Sequence, residues 1–157
     1  MNTVELLQFS VDTAFNILGL VTDDLTQEMA DWQPPKKANS ITANYAHILN
    51  YIDFLLKEVL IPCDDTLFQE DRPKEIVLHD VQVELSDLHK RAHDLRKSYH
   101  DWLSSLNPSD LDAKMNSSVG PLNVGQIVEI YVAWHINVHC GEISCLKGCQ
   151  GAKGYPW

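Results

Sequence analysis

Apolar side chains recur every three or four residues through four long segments of this chain. The first stripe begins at Val4, and the Pro34-Pro35 pair closes the segment that follows it. Such spacing places apolar residues on one face of a helix, so it predicts an amphipathic first helix. The members of this stripe are Val4, Leu7, Val11, Ala14, Leu18, Val21, Leu25 and Met29.

The second stripe follows Ser40, a residue type that commonly caps helix N-termini, and Pro62 ends it. At about 100° per residue, a second stripe that contains His47 lies beside the main apolar stripe. We therefore expect His47 on the flank of the apolar face and not in solvent. The main stripe is Ile41, Tyr45, Ile48, Ile52, Leu55 and Val59, and the neighbouring one is His47, Tyr51, Phe54 and Glu58.

Two further helices are predicted in the second half of the chain. The third runs from about His79 to Leu106, after an acidic connector from Cys63 to Lys74. The fourth runs from about Val124 to Lys147, with Asn123 as its N-cap. It is apolar nearly all round, with Ile127, Ile130, Tyr131, Trp134 and Val138 on one side and Val128, Val132, Ile136, Ile143 and Leu146 on another.

Four long helices with no convincing strand predict an all-α four-helix bundle, and the length predicts one domain over residues 1–157. A helix that is apolar on two sides has to be buried on two sides. One side of the last helix can face the bundle core, and the other can face a second copy of the chain. We therefore expect a homodimer.

The charge of the chain argues against polyanionic partners. Only 12 basic residues stand against 22 acidic ones, so nucleic acid and anionic membrane surfaces are unsuitable partners. The uninterrupted apolar runs are only a few residues long, so no membrane span is expected. The N-terminal residues lack the basic start of a secretory signal, which predicts a cytoplasmic protein.

The cysteines give a weaker signal. None of Cys63, Cys140, Cys145 and Cys149 is in Cys-x-x-Cys spacing, and free thiols are the default in a cytoplasmic protein. Cys145 and Cys149 lie one helical turn apart, so spacing alone leaves a soft-metal role open for them.

His135 and His139 provide the clearest chemical signal, because two histidines four residues apart lie one turn apart on a helix face. Two imidazoles in this arrangement can share one metal ion. Catalytic zinc sites often use three histidines and keep a position for water or substrate. The third ligand would come from another helix, and His47 is the natural candidate.

Two alternatives compete with this site. His135 and His139 could be core histidines whose nitrogens are satisfied by hydrogen bonds. His89 and His93 have the same four-residue spacing and share a stripe with His100, although this stripe has the polar character of a solvated face. No Gly-x-Ser-x-Gly elbow, phosphate-binding glycine loop or paired Glu-x-x-His motif is present in the sequence.

The segment that begins at His135 resembles the last-helix signature of the DinB-like superfamily, which is His-x-x-x-His-x-Gly-[Gln/Glu]-Ile followed by a short basic stretch and glycine. The Ser40-Ile41 helix start followed by His47 is similar to the second helix of that family. The residues that carry the resemblance are Trp32, Pro34, Ser40, Ile41, His47, His135, His139, Gly141, Glu142, Ile143, Leu146, Lys147, Gly148 and Gly151.

The resemblance implies a four-helix bundle of the up-down-down-up type, a homodimer, and a divalent metal ion bound by His47, His135 and His139. Characterised relatives include thiol transferases that use bacillithiol or mycothiol and a mycothiol-dependent maleylpyruvate isomerase. Cys140 follows His139 where relatives commonly have polar or basic residues.

Two functional hypotheses follow. A three-histidine ion would act as a Lewis acid, so the protein would be an enzyme that transfers a low-molecular-weight thiol to an electrophile or hydrolyses a small molecule. The alternative is a metal-containing stress or small-ligand-binding protein without turnover. Imidazole ligands suit several ions, of which zinc, nickel and iron are the main candidates.

Overall fold

The computed structural model describes residues 2–35, 38–64, 83–117 and 119–155, and these residues are mostly helical. A π-helical turn, Leu55–Leu60, extends the third helix, and a second, Glu129–Trp134, joins the last two helices. The helices are α1 (Thr3–Thr22), α2 (Gln27–Asp31), α3 (Ile41–Phe54), α4 (Leu85–Ser104), α5 (Val124–Val128) and α6 (His135–Cys149). A 3₁₀ turn, Pro108–Asp112, and strands β1 (Lys114–Ser117) and β2 (Gly120–Asn123) lie between α4 and α5.

The first apolar stripe forms two helices, so the prediction of one continuous helix to Met29 is wrong. The chain leaves α1 after Thr22, and the side chain of Thr26 then caps α2 by accepting the Met29 N–H at 3.2 Å. Leu25 lies between the two helices and is buried all the same. The apolar residues therefore stay buried at the same spacing, although the helix itself is interrupted where Thr26 caps α2.

The predicted starts of α3 and α5 are confirmed. The Ser40 hydroxyl accepts the Ala43 N–H at 3.1 Å, and the Asn123 side chain accepts the Gln126 N–H at 2.8 Å. Gln126 in turn accepts the Asn123 N–H, which completes a capping box.

Helix α4 is shorter than the sequence suggested. It begins at Leu85 and ends at Ser104, whereas the predicted helix extended to Leu106, and its predicted start at His79 lies outside the described residues. Most of the Cys63–Lys74 connector also lies outside them. The Tyr99 hydroxyl on α4 donates a hydrogen bond to the carbonyl of Ile52 on α3 at 2.7 Å. This buried contact ties the two helices together.

The prediction of no strand is also wrong. β1 and β2 form a short antiparallel hairpin that places Lys114 opposite Asn123 and Ser117 opposite Gly120. Gly120 has a positive φ of 110°, which glycine tolerates because it lacks a Cβ. The hairpin ends directly at the cap of α5 and so fixes where the last helical segment begins.

Both π-helical turns follow an unusual spacing of buried residues. In each segment, buried side chains recur at four-residue intervals, which in a regular α-helix drift by about 40° per step. A π turn contains more residues per turn and absorbs this drift. The two series are Ile48, Ile52, Leu56 and Leu60 in and after α3, and Val128, Val132, Ile136 and Cys140 in the last segment.

One apolar core connects the long helices. α1 packs against α4 and α6, and α3 packs against the same two helices. The packing of α3 on α6 matters most for function, because His47 lies on α3 while His135 and His139 lie on α6.

Helix α1 has enough length and apolar character to cross a membrane, with 20 residues and a mean hydropathy of 1.3. Its buried residues include Leu7, Val11 and Leu18, which belong to the core cluster. Core helices pass the same test, so the feature is weak evidence for a membrane role.

A buried lysine joins α6 to the end of α1. Lys147 is only 1% exposed, and its ammonium donates to the Val21 carbonyl at 3.1 Å and to the Asp24 carboxylate at 2.5 Å. A cation at the C-terminal end of a helix interacts favourably with the helix dipole. This contact fixes the last helix against the first.

Candidate metal centre

Three histidines from two helices converge at one point in the structure. His47, His135 and His139 each offer a ring nitrogen, and these nitrogens all lie within 4.8 Å of one another. Among the described residues, no other group of three or more His, Cys, Asp or Glu side chains has metal-binding geometry. The structure therefore brings together the same three residues that sequence spacing and family resemblance selected.

The ring positions show how tightly the cluster is assembled. The ring centroids of His135 and His139 are 4.6 Å apart, and those of His47 lie 5.3 Å from His135 and 4.9 Å from His139. The four-residue spacing on α6 sets the first distance, and the packing of α3 against α6 sets the other two.

Burial favours the neutral form of two of the three imidazoles. Desolvation, reinforced by the neighbouring His139 and His47 rings, lowers the pKa of His135 to about 3. Desolvation and then His139 also lower the pKa of His47. A neutral imidazole has a nitrogen lone pair that can bind a metal ion, which protonation would remove.

His135 also has an unsatisfied nitrogen. Its Nε2 is buried and makes no hydrogen bond to any described residue. Leaving a buried polar atom without a partner costs about 1–3 kcal/mol. This argues against the alternative of a core histidine satisfied by hydrogen bonds, and it fits a nitrogen that binds an ion.

His139 has a carboxylate partner in the next helical turn. Its Nδ1 lies 2.6 Å from Oε2 of Glu142. An ionised carboxylate only accepts hydrogen bonds, so in a neutral His139 ring this contact favours the proton on Nδ1 and the lone pair on Nε2. In the sequence, Glu142 stands out only as a position of the last-helix motif. The three-residue separation from His139 is the signal that could have predicted the contact.

Tyr51 forms one wall of the cluster. Its ring centroid is 4.6 Å from that of His135, and the ring stacks on His47 at 6.3 Å with an interplanar angle of 20°. Tyr51 lies four residues after His47 on α3, so both side chains reach the same side of the helix. The aromatic ring restricts the orientation of both imidazoles.

The donor set fits a divalent ion. Three nitrogens that bind one zinc ion at about 2.0–2.1 Å in tetrahedral geometry lie about 3.4 Å apart. The three ring nitrogens lie within 4.8 Å of one another, so binding an ion would draw them together by at most about 1.4 Å. Neutral imidazoles with a carboxylate behind one of them are the usual surroundings of a bound transition metal.

The rival histidines do not form a comparable site. His93 and His100 have exposed side chains and lie 3.5 and 3.6 Å from the carboxylates of Asp94 and Asp12. This agrees with the solvated face that their stripe predicted. His89 differs, because its ring lies 5.7 Å from that of Tyr45 and its Nε2 is buried without a partner among the described residues.

The cysteines lie outside the cluster. Cys63, Cys145 and Cys149 are exposed free thiols, and Cys140 is buried. Burial raises the pKa of the Cys140 thiol to about 12, so this side chain remains protonated at neutral pH. Thiolate is the form that binds metal or attacks an electrophile, so Cys140 is unsuited to either role.

Exposed apolar side chains occur next to the cluster. Trp134 and Val138 precede His135 and His139 in sequence and are 62% and 41% exposed. The expectation that this side of the last helix is buried is therefore not met within a single chain.

A separate pocket of about 280 Å³ is lined by Leu20, Asp23, Asp24, Lys147 and Lys153 and includes none of the three histidines.

A family model for the DinB superfamily matches residues 12–143, which is most of the chain and includes all three clustered histidines. No curated protein matches the chain.

Proposed function

Because this chain belongs to the DinB superfamily, we propose that it binds one divalent metal ion through His47, His135 and His139 and uses it to act on a small molecule. The observation that carries this proposal is the convergence of three ring nitrogens within 4.8 Å, one of them the buried, unpartnered Nε2 of His135. Members of the superfamily generally bind divalent metal ions.

Three imidazoles leave coordination positions for other molecules, and a divalent ion held this way supplies Lewis acidity that lowers the pKa of a bound water or thiol. His135 and His139 hold their nitrogens at the spacing that α6 imposes. Glu142 keeps the proton of His139 on Nδ1, and the ring of Tyr51 shields the face of His135.

Two reactions suit such a site. In the first, a low-molecular-weight thiol gives its proton to solvent and its sulfur bonds to an electrophilic carbon. The bond from that carbon to the leaving group breaks, and the leaving group departs with the electron pair. In the second, water hydrolyses a small substrate. Thiol transfer is our preferred proposal, because thiolate is the reactive form of sulfur.

The test uses untagged protein, because a polyhistidine tag would bind metal itself. We expect about one zinc, nickel or iron ion per chain by elemental analysis. We also expect the loaded protein to accelerate conjugation of a low-molecular-weight thiol to an aryl halide by at least the roughly 10²-fold typical of a single catalytic effect. Removal of the ion with a chelator should abolish this rate, and adding it back should restore it.

The control is the uncatalysed reaction with the same concentration of free metal ion. If the protein holds one ion per chain but accelerates neither thiol conjugation nor ester hydrolysis, the enzymatic proposal fails. The alternative of a metal-containing stress or ligand-binding protein then applies. If the protein takes up no ion at all, both the enzymatic proposal and the alternative of a metal-containing binding protein fail.

We also propose that the protein is a homodimer of up-down-down-up bundles in the cytoplasm. The exposed Trp134 and Val138 on the last helical segment support association, because isolated chains would leave them in water. Light scattering at micromolar concentration should give twice the 17.8 kDa mass of the chain. A mass equal to that of one chain would contradict the dimer.

A further inference from the structure

Glu142 stands apart from the other acidic residues because it contacts a member of the histidine cluster. Its Oε2 lies 2.6 Å from Nδ1 of His139. The side chain of Glu142 is 51% exposed, whereas that of His139 is only 17% exposed. The half-exposed carboxylate of Glu142 therefore contacts the more buried His139 from the solvent side.

The contact with Glu142 determines which nitrogen of His139 has a lone pair available to bind a metal ion. A neutral imidazole has one N–H and one lone pair, and hydrogen bonding at one nitrogen fixes the state of the other. With Nδ1 donating to Glu142, the lone pair is on Nε2. The three-residue separation on α6 also limits rotation of the ring, since both side chains are fixed to the same helical turn.

The negative charge of Glu142 also acts on His47, the histidine that α3 contributes. Burial lowers the pKa of His47, and the charge of Glu142 opposes this lowering. A single carboxylate therefore acts electrostatically on two of the three imidazoles, and it would partly balance the charge of a bound cation.

We propose that Glu142 is a positioning residue for the metal centre, one that holds His139 in the Nδ1–H tautomer with Nε2 directed toward the ion. The inference rests on the proposed function, since it requires that the three histidines bind a metal. Hydrogen-bonded partners of this kind commonly change metal affinity by about 10–100-fold when they are removed.

An acid–histidine pair one turn apart on a helix could also act only by stabilising the helix, by about 0.2–0.5 kcal/mol. The two roles differ in measurable ways. A helix-stabilising pair would leave the tautomer of His139 and the metal affinity unchanged after substitution. A positioning residue changes both.

The test compares Glu142→Ala with Glu142→Gln, because the amide oxygen of glutamine can still accept the Nδ1–H bond. Glu129→Ala is the matched control, since Glu129 is an exposed acid of the same helical run whose carboxylate accepts a hydrogen bond from the Ser10 hydroxyl on α1. Zinc affinity is measured by competition with a chelator. We expect Glu142→Ala to bind zinc about 10–100-fold more weakly, Glu142→Gln to lose less, and Glu129→Ala to match the wild type.

The second readout uses the metal-free protein. Nitrogen NMR of the histidine rings at about pH 8, where imidazoles are neutral, reports the tautomer of His139 directly. We expect Nδ1–H in the wild type and in Glu142→Gln, and an increased Nε2–H population in Glu142→Ala.

The outcomes separate this inference from the proposed function. If the wild type binds zinc tightly and Glu142→Ala binds it equally well with an unchanged tautomer, the positioning role is wrong and the metal site stands. If the wild type binds no zinc, the proposed function is wrong, whatever the tautomer measurement gives. If Glu142→Ala and Glu129→Ala lose zinc affinity equally, the change in overall charge explains the loss, and this outcome would also overturn the inference.

Discussion

An untagged His135→Ala, His139→Ala double variant will purify without its metal, with the content falling from about one ion per chain to near zero. The variant retains only His47, and a single imidazole cannot hold an ion that needs about three protein ligands. The loss should also appear as lost stabilisation. Zinc at 100 times its dissociation constant stabilises the wild type by about 2.7 kcal/mol, whereas the variant should gain nothing.

The chain offers a matched control in its other histidine pair. His89 and His93 have the same four-residue spacing on α4 but do not belong to the cluster. A His89→Ala, His93→Ala variant should therefore keep wild-type metal content, even if losing the partly buried His89 ring lowers its stability. If the double variant on α6 keeps its metal, or if the variant on α4 loses it, the ligand assignment is wrong.

Replacing Asp24 with alanine should destabilise the protein by about 2 kcal/mol. Lys147 is 1% exposed, and its ammonium donates to the Asp24 carboxylate and to the Val21 carbonyl. Breaking a fully buried pair by removing one partner typically costs about 3–5 kcal/mol. We expect less here, because the side chain of Asp24 is 63% exposed and water screens it.

The measurement is urea unfolding of the metal-free protein, carried out as a double-mutant cycle with Lys147→Met. Methionine keeps much of the apolar stem of lysine and removes the charge. Without the buried ammonium, Asp24→Ala should cost little, which corresponds to a coupling of about 1–2 kcal/mol. Equal costs of Asp24→Ala in both backgrounds would show that the ion pair contributes nothing to stability.

The sequence predicted the helical character of the chain and the three histidines that come together, largely because both follow from local spacing. His135 and His139 lie on the same face through the geometry of one helix. His47 needed a further step, since its contact with α6 depends on how α3 packs. Its place beside the apolar stripe of α3 was nevertheless enough to predict which way it faces. The binding of a metal ion by these three histidines stays a prediction.

The features that the sequence did not predict depend on capping and on non-local contacts. The break after Thr22 follows from the cap that Thr26 gives α2, within an apolar stripe that continues past it. The hairpin before α5 is short and half-polar, so it produces no clear alternation. The π turns have a signal in the spacing of buried residues at successive four-residue intervals, which becomes clear only once burial is known.

The burial of Lys147 was also missed, because lysine is almost never fully buried and its partner Asp24 is 123 residues away in sequence. Glu142 was recognised only as a motif position. In both cases the residue type was visible in the sequence, and the partner that explains it became visible only with the fold.

The most direct test of the central claim is a crystal structure of the untagged, zinc-loaded protein with an anomalous difference map at the zinc absorption edge. We predict one strong peak per chain at about 2.0–2.1 Å from a ring nitrogen of each of His47, His135 and His139. A peak at Cys145 and Cys149 or at a surface carboxylate cluster, or a His47 ring turned away from the ion, would contradict the account.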